Sequence, residues 1–322
     1  MKRQHRKTRF NFLIIVGICS AQNPFITTNY TADPAARVFN DTLFLYTSHD
    51  QDTATFFNMV DWHVYSTVDM KNWTAHRVAL SLDDISWAST YAWAPDCAFY
   101  NGKYYFYFPV EKDYIGVAVS NRPDRNFTDP LGTPLITRQT PGVVNSSYLI
   151  DPTIFIDDDN TPYLIFGMDD VNIVKLNHDM ISLNDTVKTI DGVHDFYEAA
   201  WMHKYQNKYY LSYSSKTPYD HGQILYGTSD SPYGPFEYQG VILDQVNSGT
   251  NHHSIVEYKS RWYLFYHNSD LYFQNNPEVP TKLNWKGNNP FRRSINVDYL
   301  TYNKDGSIIE VIPTKRGLKN IE

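Results

Sequence analysis

One pattern occurs five times along this chain: a turn rich in Asn, Asp and Gly, followed by an alternating aromatic strand. The copies are Asn40-DTLFLYTSH, Asn101-GKYYFYFPV, Asn160-TPYLIFGMD, Asn207-KYYLSYSSK and Ser260-RWYLFYHNS, starting 61, 59, 47 and 53 residues apart. Periods of this order mark propeller blades. After each copy comes a weaker strand–turn–strand unit, as in WHVYSTVDMKNW or ILYGTSDSPYGPF, and the last, INVDYLTYNKDGSIIEV, turns at Asp305-Gly306. Each repeat therefore predicts four short antiparallel strands, the content of one blade. A β-sandwich or jelly roll also shows many short strands, but has no reason to repeat one pattern five times. The expectation is an all-β chain, a single-domain five-bladed β-propeller over 22–322. Its 26 Tyr and 18 Phe suit pleated sheet.

The first 21 residues differ from the rest. Lys2, Arg3, Arg6, Lys7 and Arg9 precede an apolar run from Phe10 to Cys19, and Cys19-Ser20-Ala21 offers small residues for cleavage. This predicts a secretory signal peptide over 1–21, hence a secreted or periplasmic protein. Removing it would leave 23 of the 28 basic residues against 35 acidic ones, a net charge of −12. So acidic a domain, without a basic run, is a poor partner for nucleic acid or anionic membranes. Cys19 and Cys97 sit in no CxxC spacing, so neither a disulfide framework nor a thiolate zinc site is expected.

In a propeller the innermost strand of each blade lines a central channel, so residues at one phase of the repeat meet around one axis. Asp33, Asp96, Asp151, Glu198 and His252 precede their turns by 7, 5, 9, 9 and 8 residues. Any one Asp-Pro pair reads best as loop chemistry. Five polar residues at one phase predict convergence on one end of the channel, where an unpaired carboxylate is costly. Because adjacent strand residues face opposite ways, only one of His252 and His253 can enter, and the phase favours His252. Asp157-Asp158-Asp159 reads instead as a solvated loop. No GxSxG elbow, GxGxxG, P-loop or HExxH is present. Carboxylates around a channel rimmed by Trp and Tyr describe a sugar site, since paired acids cleave glycosides and aromatic faces stack on sugar rings.

The runs NPFITTNYTADPAARVFNDTLFLYTSHD, YAWAPDCAFYNGKYYFYFP, LIDPTIFIDDDNTPYLIFG, YEAAWMHKYQNKYYLSYS and TNHHSIVEYKSRWYLFYHN resemble glycoside hydrolase family 43, the inverting five-bladed-propeller glycosidases, from about Asn23 to the end. The resemblance implies that Asp33 is the general base, Glu198 the general acid, and Asp151 a third carboxylate that orients the acid and raises its pKa by like charge. It implies that Trp93 is a sugar platform, that Arg293 reaches the substrate (Arg292 if the phase is off by one), and that His252 lies at the channel centre. In some members that His faces a hydrated calcium; no cofactor is otherwise expected. The implied activity is exo-hydrolysis releasing L-arabinofuranose or D-xylose from arabinoxylan- or xylan-derived oligosaccharides of the plant cell wall. An endo-arabinanase and a non-catalytic carbohydrate-binding propeller are the alternatives, though a lectin needs no proton donor. Glu198 is followed by Ala-Ala-Trp where Gly-Pro is commoner, and the loops Asp50 to Asp61 and Tyr272 to Asn289 are idiosyncratic. These features leave the roles alone and bear on substrate choice.

Overall fold

The computed structural model describes residues 17–19, 22–76, 78–144, 147–217, 222–281 and 291–318. The expected signal peptide lies outside the described residues except for Gly17–Cys19.

Five antiparallel sheets follow one another along the chain. The first holds β1 (Gly17–Cys19), β2 (Tyr30–Phe39), β3 (Thr42–Asp50), β4 (Asp61–Thr67), β5 (Asn72–Ala75) and β6 (Leu80–Ser81), with β1 at its edge. The second holds β7 (Asp96–Tyr100), β8 (Lys103–Val110) and β9 (Tyr114–Ser120). The third runs through β10 (Thr153–Ile156), β11 (Pro162–Phe166), β12 (Asn172–Lys175) and β13 (Lys188–Thr189), and the fourth through β14 (Phe196–Tyr205), β15 (Lys208–Ser215), β16 (Ile224–Ser229) and β17 (Glu237–Leu243). The fifth holds β18 (His253–Tyr258), β19 (Arg261–Asn268), β20 (Ser294–Tyr302) and β21 (Ile308–Ile309). Contacts run β2 to β7 to β10 to β14 to β18 and back to β2, so the first strand of each blade lines a closed ring of five. The ring is latched where Asn23 bonds Val297 through both its side-chain oxygen and nitrogen.

The repeated turn works as the sequence predicts. Asn40 and Asp41, Asn101 and Gly102, Gln206 and Asn207, and Lys259 and Ser260 all have positive φ, the backbone of a two-residue hairpin turn matched to strand twist. The aromatic strands depart from simple alternation: in β8 every residue after Lys103 is buried, because a blade packs on a neighbour across each face. Between the first two blades Trp62 lies 5.1 Å from Phe108, and Arg37 sits 4.0 Å over the ring of Trp201 near the axis. Four strands per blade is not uniform. Among the described residues the second blade has three, followed by isolated bridges at Thr128 and Ile136, where Pro123, Pro130 and Pro134 interrupt the supply of backbone donors. Cys97 is a buried free thiol whose pKa burial pushes up, which makes it unreactive.

Candidate active site

A cavity of about 600 Å³ opens at one end of the ring axis, and Asp33, Asp151, Glu198, Trp93, His252 and Arg293 all line it. The three acids enter from the start of their strands, where the backbone is irregular. Asp33 has φ +54° at a bulge between Ala32 and Ala35, Asp151 has φ +55°, and Glu198 lies between two register shifts with Ala199 at φ +60°. A left-handed non-glycine residue costs about 1–3 kcal/mol and persists where surrounding contacts over-determine it. Here the bulges turn carboxylates out of the ladder into the cavity.

Asp96 does not join them. It is buried away from the cavity, bound by Arg37, by the Thr153 hydroxyl at 3.0 Å and by the Ile154 N–H at 2.7 Å. It therefore pins three blades together. Its offset of five residues from the turn carried this warning: Trp93, eight residues before Asn101, holds the phase of the other anchors and lines the cavity. Asp157 is likewise more than a solvated loop, since it pairs with Lys204 across to the fourth blade.

Asp33 is held by four groups. Arg293 Nη1 reaches its Oδ1 at 2.8 Å, the Ser48 hydroxyl donates to Oδ2, and its N–H donates to His267 Nδ1 at 3.1 Å, while His252 Nδ1 stands 3.8 Å from Oδ1. Burial alone would raise the carboxyl, but Arg293, the two imidazoles and Ser48 outweigh it and hold it at about 2. Burial pulls His252 down to about 4 and His267 to about 3, so both are neutral at pH 7 and Arg293 supplies the charge there. The hydrogen bonds agree: His267 accepts at Nδ1 and therefore donates from Nε2 to the Thr250 carbonyl at 3.0 Å. Arg293 is the residue at the site. Arg292 lies over the Tyr272 ring at 4.2 Å and donates to the Asp52 carbonyl, outside the cavity.

Glu198 is buried, and burial followed by the charge of Asp33 pushes it up to about 8. Asp151 is also raised, by burial first and then by Glu198, so the two titrate as a pair. The Ala199 N–H donates to Asp151 Oδ2 at 3.0 Å, a contact that favours the charged form of Asp151 against its burial and the charge of Glu198. The expectation that the like charge of Asp151 lifts Glu198 thus gives way to burial as the larger cause, with Asp33 as the leading like charge.

The apolar wall comes from Trp93, Tyr148, Phe56 and Phe57. Trp93 lies 6.2 Å from Tyr148, and its Nε1 donates to the Phe57 carbonyl at 2.6 Å. Phe57, in the first idiosyncratic loop, meets Phe291, two residues past the second, edge-on at 4.9 Å. Residues 282–289 of the second loop lie outside the described part. Sequence reasoning missed Asp50, Ser48 and His267, which hold Arg293 and Asp33, and the pair Asp169–Lys216 at 2.8 Å on the cavity wall. The first three share a signal: they close the aromatic strands YTSHD and YHN one layer out from the anchors.

His252 offers a neutral nitrogen 3.8 Å from both Asp33 Oδ1 and Asp151 Oδ2. Among the described residues these groups do not bring three ligand atoms within 4.8 Å of one another. They fit a cation that keeps most of its water, not a bare ion held directly.

The sequence model of glycosyl hydrolases family 43 matches residues 21–308. The xylosidase/arabinosidase 43A of Humicola insolens is 36 % identical, covering 90 % of this chain and 99 % of its own. Among solved structures, a family 43 β-xylosidase/α-arabinofuranosidase from a compost metagenome, in a calcium-free complex with xylotriose, superposes with a TM-score of 0.77 at 38 % identity, covering 92 % of this chain and 98 % of that one. An α-L-arabinofuranosidase from Clostridium thermocellum gives 0.75 at 39 % identity over the same shares.

Proposed function

Since the chain belongs to glycosyl hydrolases family 43, we propose that it is an inverting, exo-acting glycosidase that removes terminal L-arabinofuranose or D-xylose from xylan-derived oligosaccharides. One observation carries the reading. Two buried carboxyls on one cavity are driven in opposite directions, Asp33 to about 2 and Glu198 to about 8. At pH 7 the first is a base and the second an acid, the division of labour that glycoside cleavage needs.

In the reaction, Asp33 accepts a proton from a water that attacks the anomeric carbon, while Glu198 gives its proton to the departing oxygen. Asp151, fixed by the Ala199 N–H, keeps the Glu198 proton in place until the leaving oxygen is there to take it. Arg293 holds Asp33 ionised and fixes its angle of attack. Trp93 and Tyr148 supply faces for the sugar, and Phe56 and Phe57 line the cavity beside them. A hydrated cation beside His252 would add positive charge near the acids, with His252 as its protein ligand.

The predicted signal segment and the acidic composition support action outside the cytoplasm or in a periplasm, on plant cell-wall material. Release of pentose from aryl arabinofuranoside, aryl xyloside and debranched arabinan, followed side by side, tests the proposal. Activity on the aryl glycosides is the expected result. Cleavage of arabinan alone would make it an endo-arabinanase, and activity on none would leave a carbohydrate-binding propeller.

A further inference from the structure

Away from the carboxylates, β3 and β4 bring two imidazoles and a carboxylate to one face of the first blade. The register pairs Thr47 with His63 and Ser48 with Trp62, so His49 lies across from Asp61, and His63 follows Asp61 on the same face. His49 Nδ1 is 2.7 Å from Asp61 Oδ1, and His63 Nε2 is 3.7 Å from Asp61 Oδ2. The imidazole centroids are 4.3 Å apart, and one ligand atom from each residue falls within 4.8 Å of the other two. This is the cluster of that kind found among the described residues.

Hydrogen bonding leaves part of the cluster unsatisfied. Asn29 Nδ2 donates to His63 Nδ1 at 3.2 Å, and the Asn29 oxygen accepts from Tyr65, so the neutral His63 carries its hydrogen on Nε2. That nitrogen is buried without a hydrogen-bond partner, too far from Asp61 to bond it. A buried N–H left without an acceptor is costly, so a partner at that atom would be favourable. The three side chains remain 18–19 % exposed.

We propose that His49, Asp61 and His63 form a zinc site that clamps the two roots of the 51–60 loop. Two imidazole nitrogens, one carboxylate oxygen and a water make a tetrahedral set for Zn²⁺, whereas Ca²⁺ takes six to eight oxygens. On binding, His49 releases the proton it shares with Asp61. His63 moves its proton to Nδ1, and the Asn29 amide turns to accept it, the arrangement by which metal-bound imidazoles are oriented. The position gives the site a consequence. The loop between His49 and Asp61 carries Phe56, Phe57 and Met59 into the cavity, and Asp50, next to His49, grips Arg293 from the other face of β3. Zinc would therefore stiffen the cavity wall without touching the sugar.

The test uses tag-free full-length protein, stripped of metal and titrated with zinc chloride in a calorimeter, with and without excess calcium. One equivalent should bind, calcium should not displace it, and both His63→Ala and His49→Ala should weaken binding at least tenfold. Asn29→Ala keeps all three ligands and should still weaken binding about tenfold. His252→Ala should bind zinc like the parent, and zinc should slow amide exchange over residues 51–60. Absent binding, binding unchanged in both His variants, or loss in His252→Ala would overturn the site. Binding without slower exchange would overturn the clamp. Circular dichroism excludes a misfolded variant, and Asn29→Ala tests the site even if both His variants misfold.

Discussion

Arg293 Nη1 lies 2.8 Å from Asp33 Oδ1, joining the last blade to the first across 260 residues of sequence. The same guanidinium donates from Nε and Nη2 to Asp50 at 2.9 Å each, and its side chain is 2 % exposed. A fork shared by two carboxylates can turn only if both bonds break, so Asp33 has one orientation toward the cavity. It also has one ionisation state above about pH 2.

Arg293→Met removes the charge that holds Asp33 down, leaving burial to raise it. The acid limb of kcat/KM should then move up by about 1 to 3 pH units. The fold should lose about 3–5 kcal/mol, because two buried carboxylates lose their partner. Asp33→Asn, which leaves Arg293 on Asp50, should instead cut kcat by about 10²–10⁴ with little change in KM. Near-parental turnover in a pure Asp33→Asn sample would remove Asp33 from the base role.

Glu198→Gln should separate substrates by leaving group. A nitrophenolate departs unaided, whereas a sugar alkoxide needs the proton. Natural xylo-oligosaccharides should lose activity far more than the aryl glycoside. The alkaline limb expected near pH 8 in the parent should vanish from the aryl glycoside profile. Equal losses on both substrates would place the acid elsewhere.

The same carboxyl makes a stability prediction. Glu198 binds its proton more tightly folded, at about 8, than at the ordinary glutamate value of 4.5. Its contribution is whole below pH 4.5, declines as pH rises and is gone above 8. Asp33 runs the other way: its contribution is present above 3.8 and lost as pH falls toward 2. The melting temperature of Glu198→Gln, relative to the parent, should therefore climb between pH 4.5 and 8.5. A constant difference across that range would show that Glu198 is not held protonated by the fold.

Much of this site is legible in the sequence because a propeller turns repeat phase into position. Asp33, Asp151, Glu198 and His252 were placed by counting back from five turns, and His253 was excluded by strand alternation: it faces Ser212, bonded at 2.6 Å. Asp96 misled because it is a conspicuous acid only five residues before its turn, whereas Trp93, eight residues before it, falls within the span of the other anchors. Asp50 and His267 were invisible for another reason. Their meaning is a contact with Arg293 or Asp33 across 243 and 234 residues, and no local periodicity encodes such a meeting. The loop 51–60 shows only that it is unusual; that Phe57 meets Phe291 is a fact of closure, not of composition.

Stereochemistry tests the ring itself. Asp33 enters from β2 and Glu198 from β14, strands that are not neighbours, and β18 stands between them on the short way round, with His252 at its head. Asp33 and Glu198 should therefore face each other across the cavity and not stand side by side. Retention needs carboxyls about 5 to 5.5 Å apart so that one can attack the sugar directly; inversion needs roughly 6.5 to 9.5 Å, room for the sugar and a water. Proton NMR in the first minutes of hydrolysis should show the anomer opposite to that of the substrate, before mutarotation mixes the two. A first product of retained configuration would require a carboxylate within bonding reach of the anomeric carbon, and would transfer the nucleophile role away from water and the base role away from Asp33.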